Sequence, residues 1–567
     1  MPKVINLIVD NIIEAGIKMG FGIPGGVTPF LIEEFNKRKD FDFHITRHEG
    51  QAAVMADMYG RMTRKPGLLV GQGVWIATNG GFGIVEAYLA GSPMVIITEM
   101  SDWNGISLQA PYQCGSGEYG TVNLPNIFRS MTKYTSIATK PEEMVYAVQL
   151  ALKHSISGRP GPACVITRWQ TMMSFIEDPL ESRPPVYEVS GHLRISPPAI
   201  SEKDSKKIAK FLVEAKNPVL ICGRGIHASN AYQEVKKIAE LLGIPVATSY
   251  MGKSCIPETH RLACGVMGGL GQKLANQVIK EADVILAVGT CLAPDNTNSF
   301  SQDFIDIINQ KLIHIDIEPR NAGWTYPVEL GITSDAKLAL QSIYNSIKKI
   351  GVKINVQDRI DELIKRKKDK AIEFFTSKYY NSDRTPIEPE RVVKEINELI
   401  GENDLIVLDG GNNRMWFTKL FQTKKAGQLI GPGGAAGMAW CAGAASCAPL
   451  LYEKGKVLGI IGDGGLMMAL YVLDFIKQYQ LPVTYLIMNN SCFGNVRDFM
   501  TRKGRKLCEH PEQNFAKIAN SMGIDAIRVE KLEDLRPAIE KGLKASGPMV
   551  LDVLISRGSH LRIRKSV

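Results

Sequence analysis

An apolar run, Val457-Leu458-Gly459-Ile460-Ile461, stops at Gly462-Asp463-Gly464-Gly465, and a second, Val483 to Met488, stops at Asn489-Asn490. Between them, Leu466 to Ile476 has the apolar spacing of a helix packed on a sheet. The segment therefore reads as one strand–helix–strand unit. A right-handed crossover makes its two strands parallel. Asp463 and Asn490 then lie at the carboxyl ends of parallel strands, where open α/β sheets bind ligands. A carboxylate, a carboxamide oxygen and loop carbonyls are hard donors, suited to a magnesium ion that also holds a phosphate group. The glycines allow close backbone approach, and the helix start after Gly465 offers N–H groups to an anion. Taken alone, Gly-Asp-Gly also fits a helix opening with an N-capping Asp.

The rest of the chain frames that unit. At 567 residues it is long enough for three domains, each with its own core. Alternating helices and short apolar strands suggest an α/β protein of three doubly wound parallel-sheet domains, at 1–175, 195–350 and 385–560. Strands are expected at Gly67-Leu68-Leu69-Val70, Met94 to Thr98, Pro218 to Ile221, Val284 to Val288 and Leu312 to Asp316. A proline-rich stretch from Asp178 to Pro198 reads as one linker, and a second contains a charged helix from Asp358 to Lys370. No apolar run spans a bilayer, and the amino terminus enters a helical pattern without a signal peptide. Ten scattered cysteines without a Cys-x-x-Cys pair suggest neither a zinc site nor a disulfide framework, so a cytoplasmic location is expected. The net charge of +9 is modest, and nothing points to nucleic acid or membrane partners. The densest basic runs are Arg502 to Lys506 and Arg562 to Lys565, either solvated faces or docking surfaces for an anionic substrate.

The pairing of Asp463 with Asn490 resembles the cofactor anchor of thiamine diphosphate enzymes, and the likeness extends along nearly the whole chain. It lies closest to the acetolactate synthase, 2-keto acid decarboxylase and 2-hydroxyacyl-CoA lyase group. The resemblance implies Mg2+ held by Asp463, Asn490 and the main-chain carbonyl of Cys492. It names the three domains as pyrimidine-binding, central and diphosphate-binding. Arg47-His48-Glu49 before an alanine-rich helix resembles the strand end that carries the family's catalytic glutamate. Gly22-Ile23-Pro24-Gly25-Gly26 is similar to its early glycine loop, and Ala77-Thr78-Asn79-Gly80 to its Ala-Thr-Asn segment. In the residues alone, an acidic group in a first helical turn is also ordinary dipole matching.

By that resemblance, Glu49 hydrogen-bonds the aminopyrimidine of the cofactor and relays a proton toward its reactive carbon. Gly437-Met438-Ala439 stands where the family keeps a bulky residue under the folded cofactor, although a core methionine fits Met438 too. Asp409-Gly410-Gly411-Asn412-Asn413 resembles the diphosphate-contacting loop, with two asparagines replacing the usual Gln-His pair. The implied cofactor-binding set is Gly25, Asn79, Asn412, Asn413, Gly437, Met438, Asp463, Gly464, Gly465, Asn490, Phe493 and Gly494.

The central block has Gly223-Arg224-Gly225 after a strand, an incomplete dinucleotide fingerprint. Gly265 to Gly271 resembles the flavin-contacting segment of acetolactate synthases, whereas Thr290 to Asp295 departs from that family's Arg-Phe-Asp-Asp-Arg run. FAD, an adenine nucleotide or no ligand all remain open for this block. Two substrate positions also depart. Gly117-Glu118-Tyr119-Gly120 lacks the Gln of acetolactate synthases, and Phe499 stands where they carry a Trp. Tyr119, Phe493, Val496 and Arg497 are the candidate substrate contacts, each equally a core or surface residue. The expectation is a thiamine diphosphate- and Mg-dependent lyase or carboligase acting on 2-keto acids. The alternative is an enzyme resembling 2-hydroxyacyl-CoA lyase or oxalyl-CoA decarboxylase, acting on an acyl-CoA. A nicotinamide or flavin oxidoreductase would leave the metal motif unused. Family architecture implies a homodimer at least, and a homotetramer by extension.

Overall fold

A computed structural model of the chain describes residues 1–101, 113–351 and 355–558. The basic run 562–565 lies outside the described residues. Three six-stranded sheets follow one another along the chain. In spatial order, the first contains Asp42–Ile45, Met19–Ile23, Gly67–Gln72, Met94–Glu99, Pro162–Thr167 and Tyr134–Ala138. Every pairing in it is parallel. The third contains Leu429–Ile430, Leu405–Leu408, Val457–Gly462, Val483–Asn489, Met549–Leu554 and Asp525–Val529, so its strand order repeats that of the first.

The central sheet differs. Its spatial order is Leu330–Thr333, Lys311–Asp316, Val284–Val288, Pro218–Cys222, Val246–Thr248 and Ala263–Val266. Read from the other edge, this is the strand order of dinucleotide-binding folds.

The apolar runs explain these elements. Gly67–Gln72, Met94–Glu99, Pro162–Thr167 and Val483–Asn489 are buried at every position, as parallel strands covered by helices on both faces must be. Continuous apolar sequence, rather than alternation, is the corresponding signal. Separate apolar cores fill the central sheet, around Leu220, Ile285 and Ile313, and the third sheet, around Ile406, Ile460 and Leu486.

Two compact units emerge. One comprises Met1–Ser196, Pro432–Glu453 and Gly465–Val483; the other comprises Pro197–Gly431, Lys454–Gly464 and Thr484–Val567. The first unit thus gathers two late segments around the first sheet. Among the described residues, no helix is long and apolar enough to cross a membrane.

Three local expectations shift. The strand expected to end at Glu49 stops at Ile45, and Glu49 instead opens the helix Glu49–Thr63. The reason lies in the neighbouring strand Met19–Ile23, whose last pairing with this strand is Gly22 with Ile45, shortly before it enters the Gly25 turn. The helix expected after Gly465 begins at Asp463 and comes in two pieces, Asp463–Met468 and Tyr471–Gln478. Tight turns in which Ala469 N–H donates to Leu466 O and Val472 N–H to Ala469 O separate them. The charged helix of the second linker spans Val356–Lys368.

Close packing of the first sheet is tightest at Gly22, where a Cβ would sit 1.8 Å from the Val70 carbonyl oxygen. Gly22→Ala should therefore lower stability by about 1–3 kcal/mol or prevent folding. Gly191→Ala, in a short helix with open space around it, should be neutral or slightly stabilising. Thermal unfolding of the two variants side by side measures the difference.

Candidate active site

The carboxyl ends of the third sheet carry one group of candidate residues. Leu405–Leu408 and Val457–Gly462 are neighbours, yet the chain leaves them toward opposite edges of the sheet. This is a topological switch point, and its crevice opens where the strands end. Asp463 follows one strand and the Asp409–Asn413 loop the other.

Asp463 is only 4% exposed. Its Oδ1 accepts from Gly464 N–H at 2.8 Å, and its Oδ2 accepts from Asn490 and Ser491 N–H at 3.2 and 2.6 Å. The carboxylate therefore ties its own strand end to that of Val483–Asn489. Burial pushes its pKa up, against the opposing pull of these N–H groups and of His510.

The amide side chains converge beside it. Asn490 Oδ1 accepts from Cys492 N–H at 3.2 Å. A Cβ on Gly494 would lie 3.1 Å from the carboxamide nitrogens of both Asn412 and Asn490, so glycine keeps open the space they share. Asn412 donates to Asp498 Oδ2 at 3.3 Å, leaving its own buried Oδ1 without a hydrogen-bond partner. Asn413 faces Gly462, its Nδ2 3.4 Å from where a Cβ would stand. Burial pushes the Cys492 thiol up to about 11, so the hard oxygen this residue would offer a cation is its main-chain carbonyl.

His510 had no sequence signal. It arrives through an antiparallel bridge between Cys492 and Glu509, which lays residues 508–510 over the end of the neighbouring strand. Its Nε2, buried and without a hydrogen-bond partner, stands 3.8 Å from Asp463 Oδ2. Its ring packs edge-on against Phe493 at 5.4 Å.

The first sheet carries a second group of candidate residues. Glu49 Oε2 accepts from Asn79 Nδ2 at 2.9 Å, so the two residues singled out from separate motifs meet. His48 caps the same helix, its Nδ1 accepting from Gly50 N–H at 3.0 Å, and stacks on Tyr471 at 5.1 Å. Tyr471 also lacked a sequence signal, being far away in the chain. Gly25 sits in the turn after Met19–Ile23, where its N–H donates to Thr28 Oγ1 at 3.1 Å and a Cβ would press on Gln72. Gly437 gives way to Phe82, whose ring would lie 2.2 Å from an added Cβ. Met438 is half-buried between Ala436 and Ala439, both left-handed at φ 48° and 70°. Gly465 is buried in the helix Asp463–Met468. The candidate residues thus form two groups, one in each compact unit. Asp463, Gly464, Asn490, Cys492, Phe493, Gly494, Asn412 and Asn413 make the first, and Glu49, Asn79, Gly25, Gly437, Met438 and Gly465 the second.

The substrate candidates are less enclosed. Tyr119 is 96% exposed, Phe493 and Val496 are exposed, and Arg497 pairs with Glu509 at 3.2 Å.

A cation and a phosphate suit the first group. Among the described residues, no cluster of three His, Cys, Asp or Glu is arranged for a metal. One buried carboxylate with amide and carbonyl oxygens is instead the set expected when a bound phosphate supplies further oxygen ligands. The orphaned Asn412 Oδ1 and the space kept by Gly494 mark where polar partners are missing.

The central sheet uses its glycines differently. At its switch point, Gly223 N–H donates to Val288 O and Gly225 N–H to Gly289 O, both at 2.9 Å. A Cβ on Gly225 would lie 2.5 Å from Gly289 Cα. These glycines close two loops on each other, and neither N–H is left for a pyrophosphate.

Sequence comparisons agree with this layout. Residues 2–114 match "Thiamine pyrophosphate enzyme, N-terminal TPP binding domain", residues 205–343 its central domain, and residues 409–553 its C-terminal TPP binding domain. The "Probable acetolactate synthase large subunit" of Methanocaldococcus jannaschii is 30% identical over 555 residues, covering 95% of this chain and 90% of that protein. The acetolactate synthase large subunit of Haemophilus influenzae is 27% identical, covering 98% and 95%. The chloroplastic acetolactate synthase 1 of Zea mays is 26% identical, covering 98% and 86%.

Asp463→Ala should abolish divalent-dependent binding of pyrophosphate, a loss of about 100-fold or more for removing a charged ligand. Because burial raises the Asp463 pKa, a proton should compete with the cation at milder acidity than at an exposed carboxylate. Titration calorimetry with magnesium pyrophosphate across pH would show affinity intact at neutral pH and falling toward acid.

Proposed function

The chain belongs to the thiamine pyrophosphate enzyme family, in its acetolactate synthase group, and on that premise we propose a magnesium-dependent carboligase acting on 2-keto acids. It is an enzyme of the decarboxylase and carboligase type that depends on thiamine diphosphate. The donor 2-keto acid would lose carbon dioxide by cleavage of the bond between its carboxyl and carbonyl carbons. The remaining acyl unit would then join the carbonyl carbon of an acceptor. The cofactor supplies the carbon nucleophile and the electron sink for both events.

The observation that carries this reading is the Asp463–Asn490 cradle. It is a buried carboxylate fixed by three main-chain N–H groups, beside an orphaned amide oxygen. Asp463, Asn490 and the Cys492 carbonyl would hold Mg2+. Asn412, Asn413, Gly464, Gly465, Phe493 and Gly494 would line the diphosphate. Glu49, oriented by Asn79, would hold a proton at the pyrimidine nitrogen, while Gly25, Gly437 and Met438 would support the rings. The Glu49–Asn79 hydrogen bond is the pre-organisation such a role needs.

Acceptor choice would differ from that of acetolactate synthases, because Phe499 and the Gly117–Gly120 segment replace their selecting residues. Carboligation involves no net redox change, so flavin takes no part in the proposed reaction. A homodimer, with a tetramer by extension, is supported by Trp75, Tyr88, Leu89, Met467 and Met468, large apolar side chains left exposed in one unit. Ten free cysteines, nine of them buried, favour a reducing compartment such as the cytoplasm.

The test is to supply thiamine diphosphate, magnesium and a panel of 2-keto acids and acyl-CoA compounds, then follow carbon dioxide release and products by NMR. Turnover of 2-keto acids alone is expected. Consumption of only acyl-CoA compounds would overturn the substrate class. Glu49→Gln should cut turnover by about 100-fold or more with little change in cofactor affinity. Wild-type turnover by that variant would remove Glu49 from its role.

A further inference from the structure

Glu86 lies on the helix Gly81–Ala90, and its carboxylate is fully buried. Oε1 accepts from Gly433 N–H and, at 2.7 Å, from Arg61 Nη2. Oε2 accepts from Ala435 and Ala436 N–H at 3.2 and 3.1 Å. Three main-chain amides of the loop leading to Met438 are thus gathered on one carboxylate. Beyond Met438, Trp440 Nε1 donates to Asp57 Oδ2 at 2.9 Å. Asp57 in turn pairs with Arg61 at 2.8 Å, and the Arg61 guanidinium lies 4.6 Å from the Trp440 ring centroid. All of these groups belong to one compact unit.

The charge balance explains why the loop is gripped. Two buried carboxylates face one buried guanidinium, which leaves one negative charge to be satisfied by N–H groups. The loop amides supply them. The same helix also shapes the loop sterically, since Leu89 crowds Gly434 and Phe82 crowds Gly437. Phe82, Glu86 and Leu89 share one helical face. The backbone they hold is one that L-residues avoid, with Ala436 and Ala439 left-handed on either side of Met438. Contacts from outside must impose it.

We propose that Glu86, with Arg61 and Asp57, is a positioning clamp that fixes Met438 in the conformation needed to support the cofactor rings. This rests on the role proposed above for Met438. Glu86 is a positioning residue, buried away from any reacting atom.

The experiment uses the full chain and Glu86→Gln, whose amide can no longer satisfy three N–H donors and a guanidinium. In the cofactor-free protein, hydrogen exchange of peptides spanning 430–440 should accelerate about tenfold, the loss expected for charge-assisted bonds. Affinity for thiamine diphosphate with magnesium should fall about tenfold, while affinity for magnesium pyrophosphate, which needs only the Asp463 end, should stay within about twofold. Adding Ala436→Gly should restore part of the lost affinity, because glycine adopts the left-handed backbone unaided. Unchanged exchange would overturn the clamp. So would an equal loss of pyrophosphate affinity, the mark of a general structural defect. Should Glu86→Gln fail to fold, Trp440→Phe keeps an aromatic ring beside Arg61 while removing the donor to Asp57 and part of the buried indole volume. It should shift exchange and cofactor affinity in the same direction by a smaller factor, and wild-type values for both would overturn the clamp. A wild-type chain that binds neither thiamine diphosphate nor magnesium pyrophosphate would instead refute the cofactor reading, with the exchange measurement still deciding on the clamp.

Discussion

Parallel strand pairing is the constraint on which the rest of this structure depends. Two parallel strands cannot be joined by a hairpin, so each connection crosses over and every strand begins again at the same edge. The loops that follow the strands therefore collect along the opposite edge. Wherever neighbouring strands send their chains in opposite directions, those loops part and leave a crevice. The Asp409–Asn413 loop and Asp463 flank such a crevice in the third sheet, and the Gly25 turn and Gln72 flank its counterpart in the first. The shared strand order of these two sheets gives two crevices of the same kind, one lined by a carboxylate and amides, the other near a glutamate.

Burial then decides which groups may occupy those loops. A carboxylate removed from water must be met by donors, and in this protein main-chain N–H groups repeatedly meet it. Asp463 takes three and so fixes the ends of two strands; Glu86 takes three and so fixes a loop. Asp552 is met by one main-chain N–H, that of Phe515, and by the side chains of Asn489 and Arg528, bracing the strand that ends beside Asn490. The same requirement separates the two uses of glycine. Gly494 keeps space open between two carboxamides, whereas Gly223 and Gly225 spend their N–H groups on neighbouring carbonyls. A glycine pattern by itself carries neither meaning.

Cofactor class and substrate identity sit at opposite ends of this scheme. The proposed anchor is buried, hydrogen-bonded and specified by groups that cannot change without leaving a charge or donor stranded. The residues expected to meet substrate, such as Tyr119, Phe493, Val496 and Phe499, are largely exposed side chains on loops and short helices. Their packing places little constraint on their identity, and Phe499 and the Gly117–Gly120 segment both depart from the pattern of acetolactate synthases.

The three α/β layers were legible in the sequence because fully buried parallel strands need unbroken apolar runs, and such runs survive as local signals. The placement of Asp463, Asn490 and Glu49 was legible for a related reason. Each sits next to a strand end or helix start, where glycines and asparagines punctuate the chain. The point where Glu49 passes from strand to helix was not, since it depends on where the neighbouring strand stops pairing. His510, Tyr471 and the Glu86–Arg61–Asp57 group stayed hidden because each reaches its partners from a distant part of the chain. Ala436 and Ala439 gave no hint of left-handed backbone, a conformation that only the packed helix beside them imposes. Local order follows from the residues in a stretch of chain; the pairing of buried charges with distant donors exists only once the fold has closed.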